Sequence, residues 1–536
     1  MAKKIKNIVF IMIMLLLLIP AIQGIFHIFS VRALEGDFIP APRPTLTIKS
    51  WLNMDFQNAF EPYLEENVGF HNDLVRLHNQ LDYSLYSKLN AEGVVIGKDG
   101  QLYEKDYIRA YLGRDFVGYQ IIDRKARRLK FLQEHLKNEF DIDMVIILEP
   151  GKASIYPEYI PDRFDVKNRT STNYQAYIEK FEEYEVKYVN LNSYFMDIKH
   201  KLEYPVFTKN GIHWSIYAMT FAADTMLKYI ESIRRIEMPG VYIDSWVRTD
   251  QPQRTDNDVS RTLNLICEPP MDTTAYPEYR FEENDTKEKP MVLVIGDSFY
   301  WNFFNTRIPK HLFNNEAFWY FYKQVFPDSY DKPLSVSDLD LQAEIEKQDV
   351  VILTVTERFQ FNFDWGFIDD LYMIYAPPSP YDKIYTIQND IVKYDQWFNN
   401  IILKARKRGL SLENMLYTDV LYTLEMNNPL AYFSLFGADH YIKAIQNDPN
   451  WLTMIRGQAK DKGISLEQNI RENADFMLQE YHPEAYKKYY ALQSTINGIK
   501  GDSAWLSQVR EKAKKYYIPL EEMMLIDAEY LYKLEK

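Results

Sequence analysis

Met291-Val-Leu-Val-Ile-Gly-Asp-Ser-Phe299 is a short apolar run that stops at Gly296-Asp297-Ser298. A run of this length without polar alternation predicts a strand buried on both faces, as in a parallel sheet. The small and acidic residues behind it predict a sharp turn at the strand's carboxyl end, where open parallel sheets present side chains to ligands. Such a turn lifts one hydroxyl out of the sheet and makes Ser298 a candidate nucleophile. Gly-Asp-Ser is also ordinary turn chemistry, so the reading needs a partner elsewhere in the chain.

Three further apolar runs, Met144–Leu148, Val186–Leu191 and Val350–Val355, have the same character. Segments of helical spacing stand between them: Tyr119–Phe140, Asn173–Glu183, Ile216–Ile230 and Ser337–Glu346. Apolar strands alternating with helices predict an α/β domain, a parallel sheet with helices on both faces, over residues 33–375. Within Tyr119–Phe140, Ile122, Leu129, Leu132 and Leu136 recur among basic residues, which predicts a surface helix with its charges in water. Upstream, Asp55 to Leu89 reads as helical, and Lys98-Asp99-Gly100 reads as the turn of a hairpin. Residues 239–290 are polar, contain proline and lack a sustained period, so an irregular insertion beside the sheet is expected.

Beyond Ala376-Pro-Pro-Ser-Pro380 the composition turns to Lys, Glu, Leu and Tyr, and the sequence repeats. Trp397, Trp451 and Trp505 recur at a 54-residue interval, followed in register by Ala405, Ala459 and Ala513 and by Leu412, Leu466 and Leu520. A fixed period predicts a three-unit helical repeat domain over residues 381–536, each unit burying its apolar stripe against the next. Asp448 and Asp502 stand where helices need an N-cap, while Ser411, Ser465 and Pro519 open the helices that follow.

At 536 residues and 46% hydrophobic content the chain can support several cores. Its formal charge of -14 leaves no basic stripe, which argues against nucleic acid as a partner. Lys3, Lys4 and Lys6 precede an apolar run from Ile8 to Ile22 that continues to Phe29. This pattern predicts a signal anchor or transmembrane helix over residues 1–32, with the rest of the chain on the extracytoplasmic side of the cell envelope. Ala21-Ile-Gln-Gly24 is a poor small-x-small cleavage site, so the helix is expected to stay attached. Cys267 is the one cysteine, which precludes an intrachain disulfide. No acidic and histidine cluster has ligand spacing, and neither metal nor cofactor is expected.

Thr208-Lys-Asn-Gly-Ile-His-Trp-Ser215 places His213 in a polar loop just before a helix. A strand-end serine and a loop histidine on one α/β domain suit acyl transfer: His213 takes the Ser298 hydroxyl proton, and backbone N–H groups at the turn stabilise the oxyanion. Histidine-tryptophan upstream of Gly-Asp-Ser resembles the SGNH-hydrolase-like domain of the alginate O-acetyltransferases, the AlgX/AlgJ family. Further segments are similar and stand in the family's order: Glu65–Phe70, Val94–Tyr103, Pro150–Glu158 and Thr356-Glu-Arg358. The resemblance covers about residues 55–365 and leaves out the repeats.

It implies O-acetylation of an exported or cell-surface polysaccharide, with the acetyl group carried on Ser298 and supplied by a membrane-bound O-acyltransferase. A carbohydrate O-acetylesterase using the same residues with water as acceptor, and a non-catalytic glycan-binding or scaffold protein, are the alternatives. The family's motif commonly reads Asp-x-His-Trp, and here the first position is Gly211. Without that carboxylate His213 is oriented by Asn210, by a distant carboxylate such as Asp197, or the site binds glycan without turnover. Asn302 and Arg358 are candidate oxyanion donors beside the Ser298 N–H, with Glu357 adjoining. Lys152 is a candidate contact to an acidic sugar, and Trp301 a candidate stacking surface for a sugar ring.

Overall fold

The computed structural model describes residues 2–36, 40–283 and 286–535. Residues 1, 37–39, 284–285 and 536, which fall in the expected anchor, α/β domain, insertion and repeats, lie outside the described residues. The chain is α/β up to Tyr375 and all-helical beyond it.

Ten strands are present among the described residues: β1 (Val94–Ile96), β2 (Leu102–Glu104), β3 (Asp143–Glu149), β4 (Tyr188–Asn190), β5 (Val241–Thr249), β6 (Thr274–Phe281), β7 (Val292–Gly296), β8 (Ala317–Tyr320), β9 (Gln324–Phe326) and β10 (Val350–Thr356). Six of them form one sheet in the order β4-β3-β10-β7-β8-β9. Its pairs are parallel except β8 with β9. Every residue of β3, β7 and β10 is buried, which explains why these strands read as unbroken apolar runs. Side chains alternate between two cores. Met144, Ile146, Leu148, Leu293, Ile295, Val351 and Leu353 face the helix Tyr119–Phe140 and the C-terminal helices. Val145, Ile147, Val292, Val294, Val350 and Ile352 face Trp214 and the helix Ile216–Arg234.

Several local expectations change. The segment 55–89 is two helices, Asp55–Asn67 and His71–Tyr86, broken at Val68-Gly69-Phe70. The helix expected from Ser337 is a 3-10 turn followed by Leu341–Glu346. The insertion is not irregular throughout: β5 and β6 pair antiparallel, with a short helix Asp258–Thr262 between them. Seven consecutive β5 side chains are exposed, so the strand lacks the alternation that would have revealed it. The turn between β1 and β2 holds Asp99 at φ 53° and Gly100 at φ 75°. Residues Ala2–Phe26 form one helix, of which Lys4–Phe26 is long and apolar enough to cross a membrane.

The helix Tyr119–Phe140 corrects a larger expectation. Arg124, Lys125 and Arg128 are buried rather than solvated. They converge on Asp369, at 2.8 Å, 2.8 Å and 2.9 Å, and reach Asp364, Asp382 and Gln388. Asp382 and Gln388 belong to the first C-terminal helix, Asp382–Lys393, so this network ties the two parts of the chain. Beyond it, the helices Asp395–Arg408, Pro449–Lys462 and Ser503–Lys515 carry the tryptophans, and Leu412–Asn427, Leu466–Tyr481 and Leu520–Leu534 follow them. Asp448 and Asp502 accept hydrogen bonds from the first-turn N–H groups, as do Ser411 and Ser465. Gly409 and Gly463 end two of the tryptophan helices in the left-handed region, and Tyr517 takes that conformation at the same register in the third unit.

Candidate active site

The carboxyl ends of β3, β10 and β7 are neighbours, and the loops leaving them carry Lys152, Glu357 and Ser298. Gly296 is required where β7 meets β10, because a Cβ there would stand 2.3 Å from the Thr354 methyl. Asp297 fixes the turn. Its carboxylate accepts from Thr356 N and Oγ1, both at 2.8 Å, and from Phe299 N at 3.0 Å. Burial nonetheless lifts its pKa. Behind it Glu149 is fully buried, and burial with the neighbouring Asp297 charge holds its carboxyl protonated well above the usual range.

Ser298 Oγ lies 2.7 Å from His213 Nε2. The other ring nitrogen, Nδ1, is hydrogen-bonded to Asp258 Oδ2. Asp258 is itself held, since its Oδ1 accepts from Ile212 N at 3.0 Å and Val259 N at 2.8 Å. Phe299 packs against the imidazole with ring centroids 4.8 Å apart. Burial opposes charge on His213, yet Asp258, followed by Asp297 and Glu104, outweighs it and raises the imidazole pKa above its ordinary value. Hydroxyl, imidazole and carboxylate therefore form a continuous chain, able to move a proton off Ser298.

Asp258 was not legible as part of the site, and the two orienting residues expected from sequence lie elsewhere. Asn210 donates its amide to Pro269 O at 2.9 Å, and Asp197 is exposed on the helix Leu191–Ile198. The reason lies at Gly211. A Cβ there would meet Thr255 O at 2.9 Å and Asp256 O at 3.0 Å. The missing side chain admits the backbone of the insertion, and that backbone brings Asp258 to His213.

Lys152 does not face solvent. It is fully buried, and its ammonium donates to the carbonyls of Thr208, Gly211 and Lys209 at 2.7, 2.8 and 3.1 Å. It thus holds the loop that presents His213, and burial lowers its pKa to about 7. Glu357 is buried at the end of β10, where it accepts from Ser154 Oγ of the Lys152 helix; burial raises its pKa to about 7.

Arg358 pairs with Glu104 and, at 3.7 Å, with Asp106, and lies over the Tyr107 and Phe359 rings. Asn302 is buried and committed: its amide donates to Trp214 O at 3.1 Å and its carbonyl accepts from Thr255 Oγ1 at 2.7 Å. It ties the His213 loop to the insertion through these two bonds. Trp301 packs edge-on against Phe304, Phe318 and Phe326, in an aromatic cluster. Among the described residues no group of His, Cys, Asp and Glu has the arrangement of a metal site.

Residues 94–309 match the family model described as the SGNH hydrolase-like domain of the acetyltransferase AlgX. Among solved structures, the chain is similar to the O-acetyltransferase domain of Pseudomonas putida AlgJ, at 17% identity and a TM-score of 0.34, covering 52% of this chain and 98% of that one. It is also similar to Pseudomonas aeruginosa AlgX, at 13% identity and a TM-score of 0.34, covering 54% and 71%. Bacillus cereus PatB1 with a sulfonyl adduct gives 13% identity and a TM-score of 0.31, covering 52% and 99%. The comparison with curated proteins gives no match.

Proposed function

We propose, from the likeness over residues 94–309, that this chain is an extracytoplasmic O-acetyltransferase acting on an exported or cell-surface polysaccharide through an acetyl-serine at Ser298. The observation that carries the reading is the 2.7 Å contact of Ser298 Oγ with His213 Nε2, backed by Asp258 on Nδ1. In this account His213 takes the hydroxyl proton as Oγ attacks the acetyl carbonyl of the donor, a membrane-bound O-acyltransferase or its product. The oxyanion forms beside the Ser298 N–H. Its collapse expels the donor's leaving group, which takes the proton from His213, and leaves acetyl on Oγ. A sugar hydroxyl then attacks the acetyl-serine and gives its proton to His213; collapse breaks the Oγ–acetyl bond, Ser298 Oγ takes the proton back from His213, and the ester passes to the glycan. Asp258 stabilises the imidazolium in both halves. The apolar helix Ala2–Phe26 supports placement at a membrane, where such a donor resides.

The test that separates transfer from hydrolysis uses p-nitrophenyl acetate with and without candidate polysaccharides. A transferase gives acetylated glycan, and p-nitrophenol release that rises with glycan concentration. Release indifferent to every glycan would mark an esterase, and no release in either condition would remove the enzymatic reading.

A further inference from the structure

The helix His71–Tyr86 is packed inside out. Its protein-facing side is polar: Arg76 is buried and donates to Arg32 O at 2.9 Å and Ala33 O at 2.6 Å, and Asn79 donates to Leu263 O at 3.0 Å. Its outward side is apolar. Leu74, Leu77, Leu81 and Leu85 form one stripe at helical spacing, each between 46% and 66% exposed. The preceding helices add to this surface, since Ile48–Leu52 and Asp55–Asn67 bury no residue. Trp51, Leu52, Phe60 and Leu64 are exposed there. Exposed apolar side chains gathered on three successive helices call for a cover.

Its position identifies the cover. Gly69, between the two longer helices, donates its N–H to Pro20 O at 3.1 Å, and a Cβ at Gly69 would stand 2.2 Å from that oxygen. The contact is therefore backbone against backbone, on the apolar helix Ala2–Phe26 itself. Pro20 lies six residues before the end of that helix, about 9 Å at 1.5 Å per residue. In a helix that spans the bilayer to that end, this level lies within the roughly 5–10 Å to which interfacial helices sink their apolar faces. The helix Asp55–Asn67 ends at this level and His71–Tyr86 starts from it.

We propose that Ile48–Leu52, Asp55–Asn67 and His71–Tyr86 form an interfacial collar, lying on the bilayer with the leucine stripe, Leu64 and Phe60 at the acyl boundary. Trp51 and Tyr63 stand at headgroup level, the usual place of such rings. Asp55, Glu61, Glu65, Glu66, Asp73 and Asp82 make the segment acidic, so insertion is driven by apolar burial and does not need anionic lipid. The chain then meets the membrane at two places, which fixes the orientation of the α/β domain instead of leaving it on one tether. The proposal rests on the reading of Ala2–Phe26 as a retained anchor.

The test reconstitutes the full chain, with Cys267→Ser, into phosphatidylcholine vesicles with and without phosphatidylglycerol. Single cysteines at Leu15→Cys, Leu77→Cys, Leu81→Cys and Tyr422→Cys carry a fluorescent label. Lipids bearing a nitroxide high on the acyl chain should quench labels at 15, 77 and 81 but not at 422. Iodide should quench only 422, and both patterns should be the same in the two lipid mixtures. Quenching by lipid at 15 with iodide access at 77 and 81 overturns the collar and leaves the anchor standing. Absence of lipid quenching at 15 overturns the anchor, and the collar with it. Labels at 77 and 81 shielded from iodide but untouched by lipid nitroxide, or crosslinking between copies at 77, would assign the stripe to a protein partner and overturn the proposal.

Discussion

A side chain at Gly211 would stand 3.0 Å from the carbonyl of Asp256. The insertion closes the space a side chain at Gly211 would take, and the carboxylate bonded to His213 Nδ1 is Asp258 of that insertion. Asp258→Asn should lower kcat for acetyl transfer by about three to four orders of magnitude, the scale seen when a triad loses the group that fixes its imidazole. Gly211→Asp should not rescue it, because the new side chain meets backbone rather than Nδ1. Asp197→Asn should act like wild type. Rates with p-nitrophenyl acetate check all three.

The pH profile should report the His213–Asp258 contact. His213 must be neutral to accept the serine proton, so the rate falls as pH drops through its pKa. Asp258 holds that pKa above the ordinary histidine value of about 6.5, which places the acid limb of kcat/KM above that pH. In Asp258→Asn the raising charge is gone, and the limb should shift to lower pH as the plateau falls. A limb that stays in place would assign it to another group.

Lys152→Met should weaken both stability and turnover. The substitution leaves the buried carbonyls of Thr208 and Gly211 without their donor, at a cost of about 1–3 kcal/mol for each group left unsatisfied, while Lys209 O keeps the Leu102 N–H. Because the folded pKa is about 7 and the unfolded one about 10.4, the unfolded chain binds more protons between these values. The wild type should therefore gain stability from this residue as pH rises from about 7 to about 10. Thermal unfolding of the two proteins across that window checks the sign, since the variant should lack this gain.

Asp369→Asn should loosen the helical region from the α/β part. Three buried cations lose their shared partner, and breaking such a network costs about 3–5 kcal/mol. The three cations hold the Asp369 pKa well below the usual carboxylate range despite burial, so the contribution is present above about pH 3.9 and lost as pH falls through the lowered value. Limited proteolysis at neutral pH should show faster cleavage near Ala376–Pro380 in the variant.

What the sequence reveals and hides has physical causes. β3, β7 and β10 read plainly because burial on both faces keeps their centres, Met144–Leu148, Val292–Ile295 and Val350–Leu353, apolar. β5 does not, because its side chains lie largely in solvent. The contact of Ser298 with His213 joins residues 85 apart, and each sits in a stretch with its own local signal, a strand end and a loop before a helix. Asp258 lies 45 residues from His213 in a stretch with no period, so only the folded backbone shows that it arrives. Lys152 and Arg124 look like surface charges in the sequence, since nothing local tells which lysine or arginine tertiary packing will enclose.

An acetyl group carried on Ser298, with His213 as the base, leaves a covalent trace. The most direct measurement is intact-protein and peptide mass spectrometry after brief exposure to p-nitrophenyl acetate and acid quench. One acetyl group is expected on the peptide containing Ser298, absent in Ser298→Ala and strongly reduced in His213→Ala. Acetylation elsewhere that survives Ser298→Ala, with Ser298 itself unmodified, would contradict it.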